Sequence, residues 1–422
     1  MKETLCIHAG YKPKNGESRQ VPIIQSTTFK YDSCEFMGKL FDLEESGYFY
    51  SRVANPTNDY VANKIASLEG AVAGVLTSSG QAAIFLAITN ICKAGDHLVC
   101  VNEIYGGTIN LIGFTLKKFG IDATFISANS SDKKIQAAIK DNTKLIFAES
   151  VSNPSLVVLD IKKFANIAHK NNIPLIIDNT FATPINCQPI KHGADIVVHS
   201  ATKYLDGHSS VIAGAILDSG NFNWENEKFA DFNMPDSSYH GLIYTKKFGK
   251  FAYITKLVVQ LMRDIGACLS PQSAFILSTH IESLALRVAK HCENAKKIAE
   301  FLQANKHIKS VNCPMLKTSP YYELALTYMP NGVCGVISFE LDANKEQTIK
   351  FIDSLKLITI ATHVADARSC VLHPASHTHR QLSKDELIKA GISEGLIRLS
   401  VGIENIDDLI NDIKQALKQV FN

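Results

Sequence analysis

The sequence predicts an α/β fold, a mostly parallel sheet covered by helices on both faces and followed by a smaller α+β domain. Three observations carry this reading. From about residue 56 short apolar runs alternate with amphipathic stretches, the pattern of strands buried on both faces and joined by crossover helices. Two of the runs lead into charged residues: Leu175-Ile176-Ile177 ends in Asp178, and Ile196-Val197-Val198 leads through His199, Ser200 and Thr202 to Lys203. Ligands of such sheets collect at the carboxyl ends of strands. Beyond about residue 281 the texture changes, with helices opening the segment and fewer strand-like runs.

Taken in order, residues 1–55 are rich in turn formers and carry little periodicity, which suits an arm that packs on a neighbouring subunit. Residues 56–280 form the regular region. Helices are expected over 59–68, 81–92, 111–118, 133–140 and 161–170, and strands over 72–76, 97–101, 123–126 and 145–148, before the strand ending at Asp178. The stretch 221–248, with the only tryptophan, Trp224, reads as an inserted loop. The last domain, 281–422, begins within a long helix over 274–303 and holds strands near 308–313, 335–341 and 357–361 and a closing helix over 406–420.

Lys plus Arg number 43 against 41 Asp plus Glu, a net charge of +2, so nothing electrostatic points to nucleic acid or an anionic membrane. No apolar stretch approaches the ~20 residues of a spanning helix, and the first residues lack an apolar signal core. A cytoplasmic protein acting on small molecules is expected. The 10 cysteines include no C-x-x-C pair and read as reduced core residues. Cys370, His373, His377 and His379 are the densest set of metal-ligand types, but their spacing matches no zinc pattern and Pro374 interrupts any helix that would align them. No metal is expected.

The chemistry concentrates on Lys203 and Asp178. A buried lysine at a strand end can form a Schiff base with an aldehyde cofactor, and a carboxylate beneath a pyridine ring keeps its nitrogen protonated. A solvated lysine and a turn-capping aspartate are the commoner fates of such residues taken singly. Ser78-Ser79-Gly80-Gln81 lies between a strand and a helix, where free N–H groups receive phosphate, although Ser-Ser-Gly is also an ordinary helix cap. Ser200 and Thr202 would complete a phosphate cup. Tyr105, before Gly106-Gly107, suits stacking on a ring, or equally packing at a domain edge. Tyr50 and Arg52 lie on the arm, from which an arginine could reach a phosphate across a subunit boundary. Arg398 sits in an apolar strand and needs a partner, either a substrate carboxylate or an internal acid. Asn153, before Pro154, is a hydrogen-bonding candidate or a plain turn residue.

Read together as YSRVANPT, SSGQAAI, YGGT, ESVSNP, DNTF, HSATKY, HPASHTH and RLSVGIE, in that order, the chain resembles the pyridoxal-phosphate-dependent enzymes of sulfur amino-acid metabolism. These include cystathionine γ-synthase, methionine γ-lyase and O-acetylhomoserine sulfhydrylase. The stretches SYHGLIY, RDIGACLSPQSAFIL and SPYYELALTYMPNG are most similar to the sulfhydrylase members. The resemblance implies the fold-type I architecture, pyridoxal 5'-phosphate as cofactor, and a homotetramer whose active sites are shared across a dimer. It implies Lys203 as the Schiff-base lysine, Asp178 on the pyridine nitrogen and Tyr105 on the ring face. Gly80, Gln81, Ser200 and Thr202 would hold the phosphate, with Tyr50 and Arg52 supplied by the partner, and Asn153 and Arg398 would bind the substrate carboxylate. The activity implied is exchange of the acetate of O-acetylhomoserine for sulfide, with methanethiol or a sulfur-carrier protein as other possible donors. Sister lyase or synthase activity, or a catalytically silent binding protein, are the alternatives. The chain departs from the lyases at His363-Val364-Ala365, where they carry serine, leucine and glycine, and at Gly107, where methionine γ-lyases carry cysteine.

Overall fold

The computed structural model describes residues 2–377, 380 and 393–421. Among these, seven strands form the larger sheet: β1 (Ala73–Thr77), β2 (His97–Val101), β3 (Asp122–Ile126), β4 (Thr143–Glu149), β5 (Leu175–Asp178), β6 (Ile196–Ser200) and β7 (Gly214–Asp218). They are ordered β1-β7-β6-β5-β4-β2-β3. Neighbours from β6 through β3 run parallel, whereas β7 is antiparallel to both β6 and β1. Ile146, Phe147, Ile176, Ile177, Val197 and Val198 at the sheet centre are fully buried, which explains the unbroken apolar runs.

Strand β7 is not among the expected elements. Its connection from β6 is a turn without a crossover helix, so the alternation of strand and helix does not announce it. The helix Pro56–Glu69 starts where the Asn55 side chain accepts from Thr57 N at 2.9 Å and stops at Gly70, whose φ of 79° is left-handed. The helix expected over 274–303 is two helices, Pro271–Ile281 and Leu284–Gln303; no Gly or Pro in the local sequence announces the break. The inserted stretch is a folded aromatic cluster rather than an open loop. Trp224 is buried and stacks on Phe232 at 4.6 Å and on Tyr253 at 5.2 Å between ring centroids.

By contacts the chain forms two units, Met1–Ser150 with Leu159–Asp206 and Ser210–Ser283, and Val151–Val158 with Gly207–Ser209 and Leu284–Asn422. The second unit has its own sheet, β8 (Ile308–Asn312), β9 (Val336–Leu341), β10 (Thr359–Ile360), β11 (Cys370–Leu372) and β12 (Leu396–Ser400), in the order β10-β11-β12-β9-β8. All its pairings are antiparallel except β10 with β11. Its core joins Ile298 and Leu302 to Phe339, Phe351, Leu399 and Ile413.

His379 lies outside the described residues. His373 is occupied by the Ser376 hydroxyl at 2.8 Å and the Glu394 carbonyl at 2.9 Å, and no metal-holding group of His, Cys, Asp or Glu occurs among the described residues. No helix among them is long and apolar enough to cross a membrane.

Candidate active site

The first unit brings its charged candidates to the carboxyl ends of β5 and β6, as the sheet topology requires. Asp178 closes β5 and is buried. Its Oδ1 accepts from Thr180 N at 2.9 Å and from the Thr180 hydroxyl. The same hydroxyl oxygen accepts from Ser200 N at 2.8 Å, so one threonine ties the end of β5 to the end of β6. Burial pushes the Asp178 carboxyl above its usual range, while the Thr180 hydrogen bonds and the positive charge of His199 pull it down.

The candidate phosphate-binding residues meet where the helix Gly80–Thr89 follows β1. Ser79 caps it, accepting from Ala82 N at 3.1 Å. A Cβ on Gly80 would fall 2.6 Å from Ser200 Cβ and 2.8 Å from its Cα. Only glycine lets the helix N-terminus meet Ser200, and two predicted halves of the cup thus converge. Thr202 is more constrained than expected, because its hydroxyl accepts from Ala213 N at 3.0 Å and donates to Ala213 O at 3.2 Å.

Lys203 is half-buried in the turn after β6, its N–H donating to Ser200 O at 3.1 Å. That turn is fastened by Asp206, fully buried, which accepts from Ser210 N at 3.0 Å and Ser210 Oγ at 2.9 Å and contacts His280 Nδ1 at 2.8 Å. Tyr105 is 51% exposed; its backbone N–H donates to Glu149 Oε1 at 2.7 Å, at the end of β4. A Cβ on Gly107 would lie 2.5 Å from the Tyr105 ring and 2.8 Å from Gln81 Nε2. Tyr105, Gly107 and Gln81 are therefore in one cluster, where Gln81 Oε1 is buried without a partner among the described residues.

The arm candidates pair with each other. The Arg52 guanidinium lies 5.1 Å from the Tyr50 ring centroid and donates to the Arg263 carbonyl. In the second unit Arg398, on β12, donates to Asn153 Oδ1 at 3.2 Å and to the carbonyls of Thr362 at 3.4 Å and His363 at 3.3 Å. Asn153 and Arg398 are thus brought together, and the His363 segment contributes backbone oxygen to the same guanidinium. Ala365 nearby has a φ of 70°, a left-handed conformation at the position where the lyases carry glycine.

Sequence reasoning missed Thr180, Glu149, Asp206 and Glu69. Thr180 could have been found, since a hydroxyl two residues after an aspartate at a strand end is a local turn signal. Glu69 could not, because its partner His199 is 130 residues away.

The chain matches one protein family, the Cys/Met metabolism PLP-dependent enzymes, over residues 3–418. It belongs to that family. An O-acetyl-L-homoserine sulfhydrylase of Leptospira meyeri is 43% identical, with 99% of this chain and 97% of that one aligned. A homocysteine synthase of Schizosaccharomyces pombe is 41% identical over 99% and 98%. A crystal structure from Campylobacter jejuni, described as an O-acetylhomoserine (thiol)-lyase and carrying N'-pyridoxyl-lysine-5'-monophosphate, superposes with a TM-score of 0.94 at 41% identity, covering 99% of each chain. The cofactor of this family member is pyridoxal phosphate, and the residues present fit it. A buried carboxylate favours a cationic N–H partner, and the Gly80–Ser200 approach leaves a helix N-terminus, with its free N–H donors, for phosphate.

Proposed function

We propose that the protein converts O-acetyl-L-homoserine and sulfide to L-homocysteine and acetate, with methanethiol as a second acceptor giving methionine. The observation that carries this reading is full-length similarity at 41–43% identity to a sulfhydrylase and a homocysteine synthase; the approach of Gly80 to Ser200 beside the end of β5 supports it. Gly107 adds support against a methionine γ-lyase: a cysteine there would collide with the Tyr105 ring and Gln81.

When bound, pyridoxal phosphate supplies an aldehyde for the substrate amine and a ring that draws electrons from Cα. Lys203 would hold the cofactor, and its Nζ would take up the substrate Cα proton and return it. Asp178 accepts the ring nitrogen's N–H and keeps the proton there. Ser200, Thr202, Gly80 and Gln81 hold the phosphate, with Tyr50 and Arg52 contributed by a partner subunit in a homotetramer. Tyr105 covers the ring face and moves protons near Cγ as acetate departs and sulfide adds. Arg398 and Asn153 orient the substrate carboxylate. The protein works in the cytoplasm, taking sulfur as free sulfide or from a carrier protein.

Product analysis tests the reading. O-acetyl- and O-succinylhomoserine are each offered sulfide, methanethiol and cysteine. Homocysteine from the acetyl ester and sulfide as the dominant product is expected; cystathionine from the succinyl ester and cysteine as the dominant product refutes it.

A further inference from the structure

We propose that Glu69 is a positioning residue of the active site, a buried anion that acts through His199 to hold Asp178 ready for the cofactor's ring nitrogen. The inference rests on the placement of Asp178 beneath that nitrogen proposed above. Glu69 is the last residue of the helix Pro56–Glu69 and is fully buried. Its Oε1 accepts from His199 Nε2 at 2.7 Å and from Asn179 Nδ2 at 2.7 Å. Its Oε2 is buried with no hydrogen-bond partner among the described residues.

Both groups that Glu69 holds adjoin Asp178. Asn179 is its chain neighbour, with Oδ1 taking the Ser150 hydroxyl at 2.8 Å and N–H donating to Val198 O at 3.0 Å. His199 is on β6, one residue beyond the Val198 that pairs with Asp178, and its electrostatic influence lowers the Asp178 carboxyl against the effect of burial. The other titratable groups facing Glu69 are Lys2 and Cys187, and burial, with Glu69 beside it, pushes the Cys187 thiol up. The Lys2 ammonium donates to the carbonyls of Pro184 and Ile185. His199 is thus the ring bonded directly to Glu69, through Nε2.

An orphaned buried carboxylate oxygen is costly, and a stability role alone would be served better by an apolar side chain. A charge retained under those conditions, next to the group that must stay ionised, points to electrostatic positioning.

The test uses the full-length holoenzyme and its resolved apoenzyme with Glu69→Gln, His199→Gln, the double variant and Asp178→Asn. Glutamine keeps the shape of Glu69 and removes its charge. The readouts are pyridoxal phosphate affinity, followed by return of the visible absorbance, and the rate at which the substrate Cα proton exchanges with solvent deuterium. Each single variant is expected to lose about 10- to 100-fold in one or both, the range seen for outer partners of a bound group. The double variant is expected to be no worse than either single one, because both act along one path. Wild-type values in Glu69→Gln, or additive losses in the double variant, overturn the inference. Asp178→Asn separates the two levels: if it also behaves as wild type, the placement of Asp178 fails; if it alone is impaired, only the role of Glu69 fails. Should Glu69→Gln not fold, His199→Gln carries the test, and wild-type values there overturn it equally.

Discussion

The approach of Gly80 to Ser200 makes the proposed phosphate cradle sensitive to one methyl group. In Gly80→Ala the added Cβ would sit 2.6 Å from Ser200 Cβ and 2.9 Å from its Oγ. Comfortable carbon contacts begin at about 3.5 Å, so the start of the helix or the end of β6 must retreat by nearly an ångström. The nearest atoms include Ser200 Cα, 2.8 Å away, and a side-chain rotation alone gives no relief. Overpacking of this kind costs about 1–3 kcal/mol. If the strain is relieved by opening the cradle, cofactor affinity falls by about 5- to 150-fold. Helix propensity works in the opposite direction, since alanine is the better helix former, so the thermal stability of the apoenzyme should change little. The assay is titration of apoenzyme with pyridoxal phosphate alongside thermal unfolding without it. Affinity within about twofold of wild type, well below the smallest expected effect, would refute the idea that this contact shapes the cradle.

Two further predictions concern stability. Ala365→Gly should stabilise the second unit by about 1 kcal/mol, because φ of 70° strains an alanine and not a glycine; the higher backbone entropy of unfolded glycine reduces the gain, and a lower denaturant midpoint in the variant would contradict the argument. Asp218 is fully buried, its Oδ1 accepts from Gly220 N at 2.9 Å, and burial, with the nearby charge of Asp195, pushes its carboxyl up to about 7. A carboxyl raised in the folded state contributes stability that is present below its unfolded value of about 3.8 and lost as pH rises through its folded value. Stability should therefore decline between about pH 4 and 7 by an amount on the order of a few kcal/mol. Asp218→Asn should flatten that decline in urea unfolding curves, and an unchanged slope would exclude Asp218 as its source.

Asp178 and Lys203 were legible in the sequence because each announces itself locally, as a charge at the end of an apolar run. The Gly80 loop and Tyr105 were legible for the same reason. What the sequence withheld is non-local. Strand β7 reverses direction without a helix before it, and the helices Pro271–Ile281 and Leu284–Gln303 part at a site with no Gly or Pro. The approach of Asn153 and the carbonyls of Thr362 and His363 to Arg398 was not legible either. Those acceptors come from distant loops that no periodicity predicts.

The polar groups behind Asp178 make a stronger case for function than any one of them does. Glu69, Ser150, Asn179 and His199 are all at or below 1% exposure, and Asp178 is at 8%. Each hydrogen bond among them yields only about 1 kcal/mol net, while every buried polar atom costs more than that if left unmatched. A folded core gains nothing from such a cluster that aliphatic side chains would not supply more cheaply. The bonds do, however, fix Asp178 through three routes: the Thr180 hydroxyl, the Asn179 side chain and the β5–β6 pairing. In the role proposed for Asp178, a carboxylate held that way would reorganise little as the charge opposite it changes, and low reorganisation is what electrostatic catalysis requires.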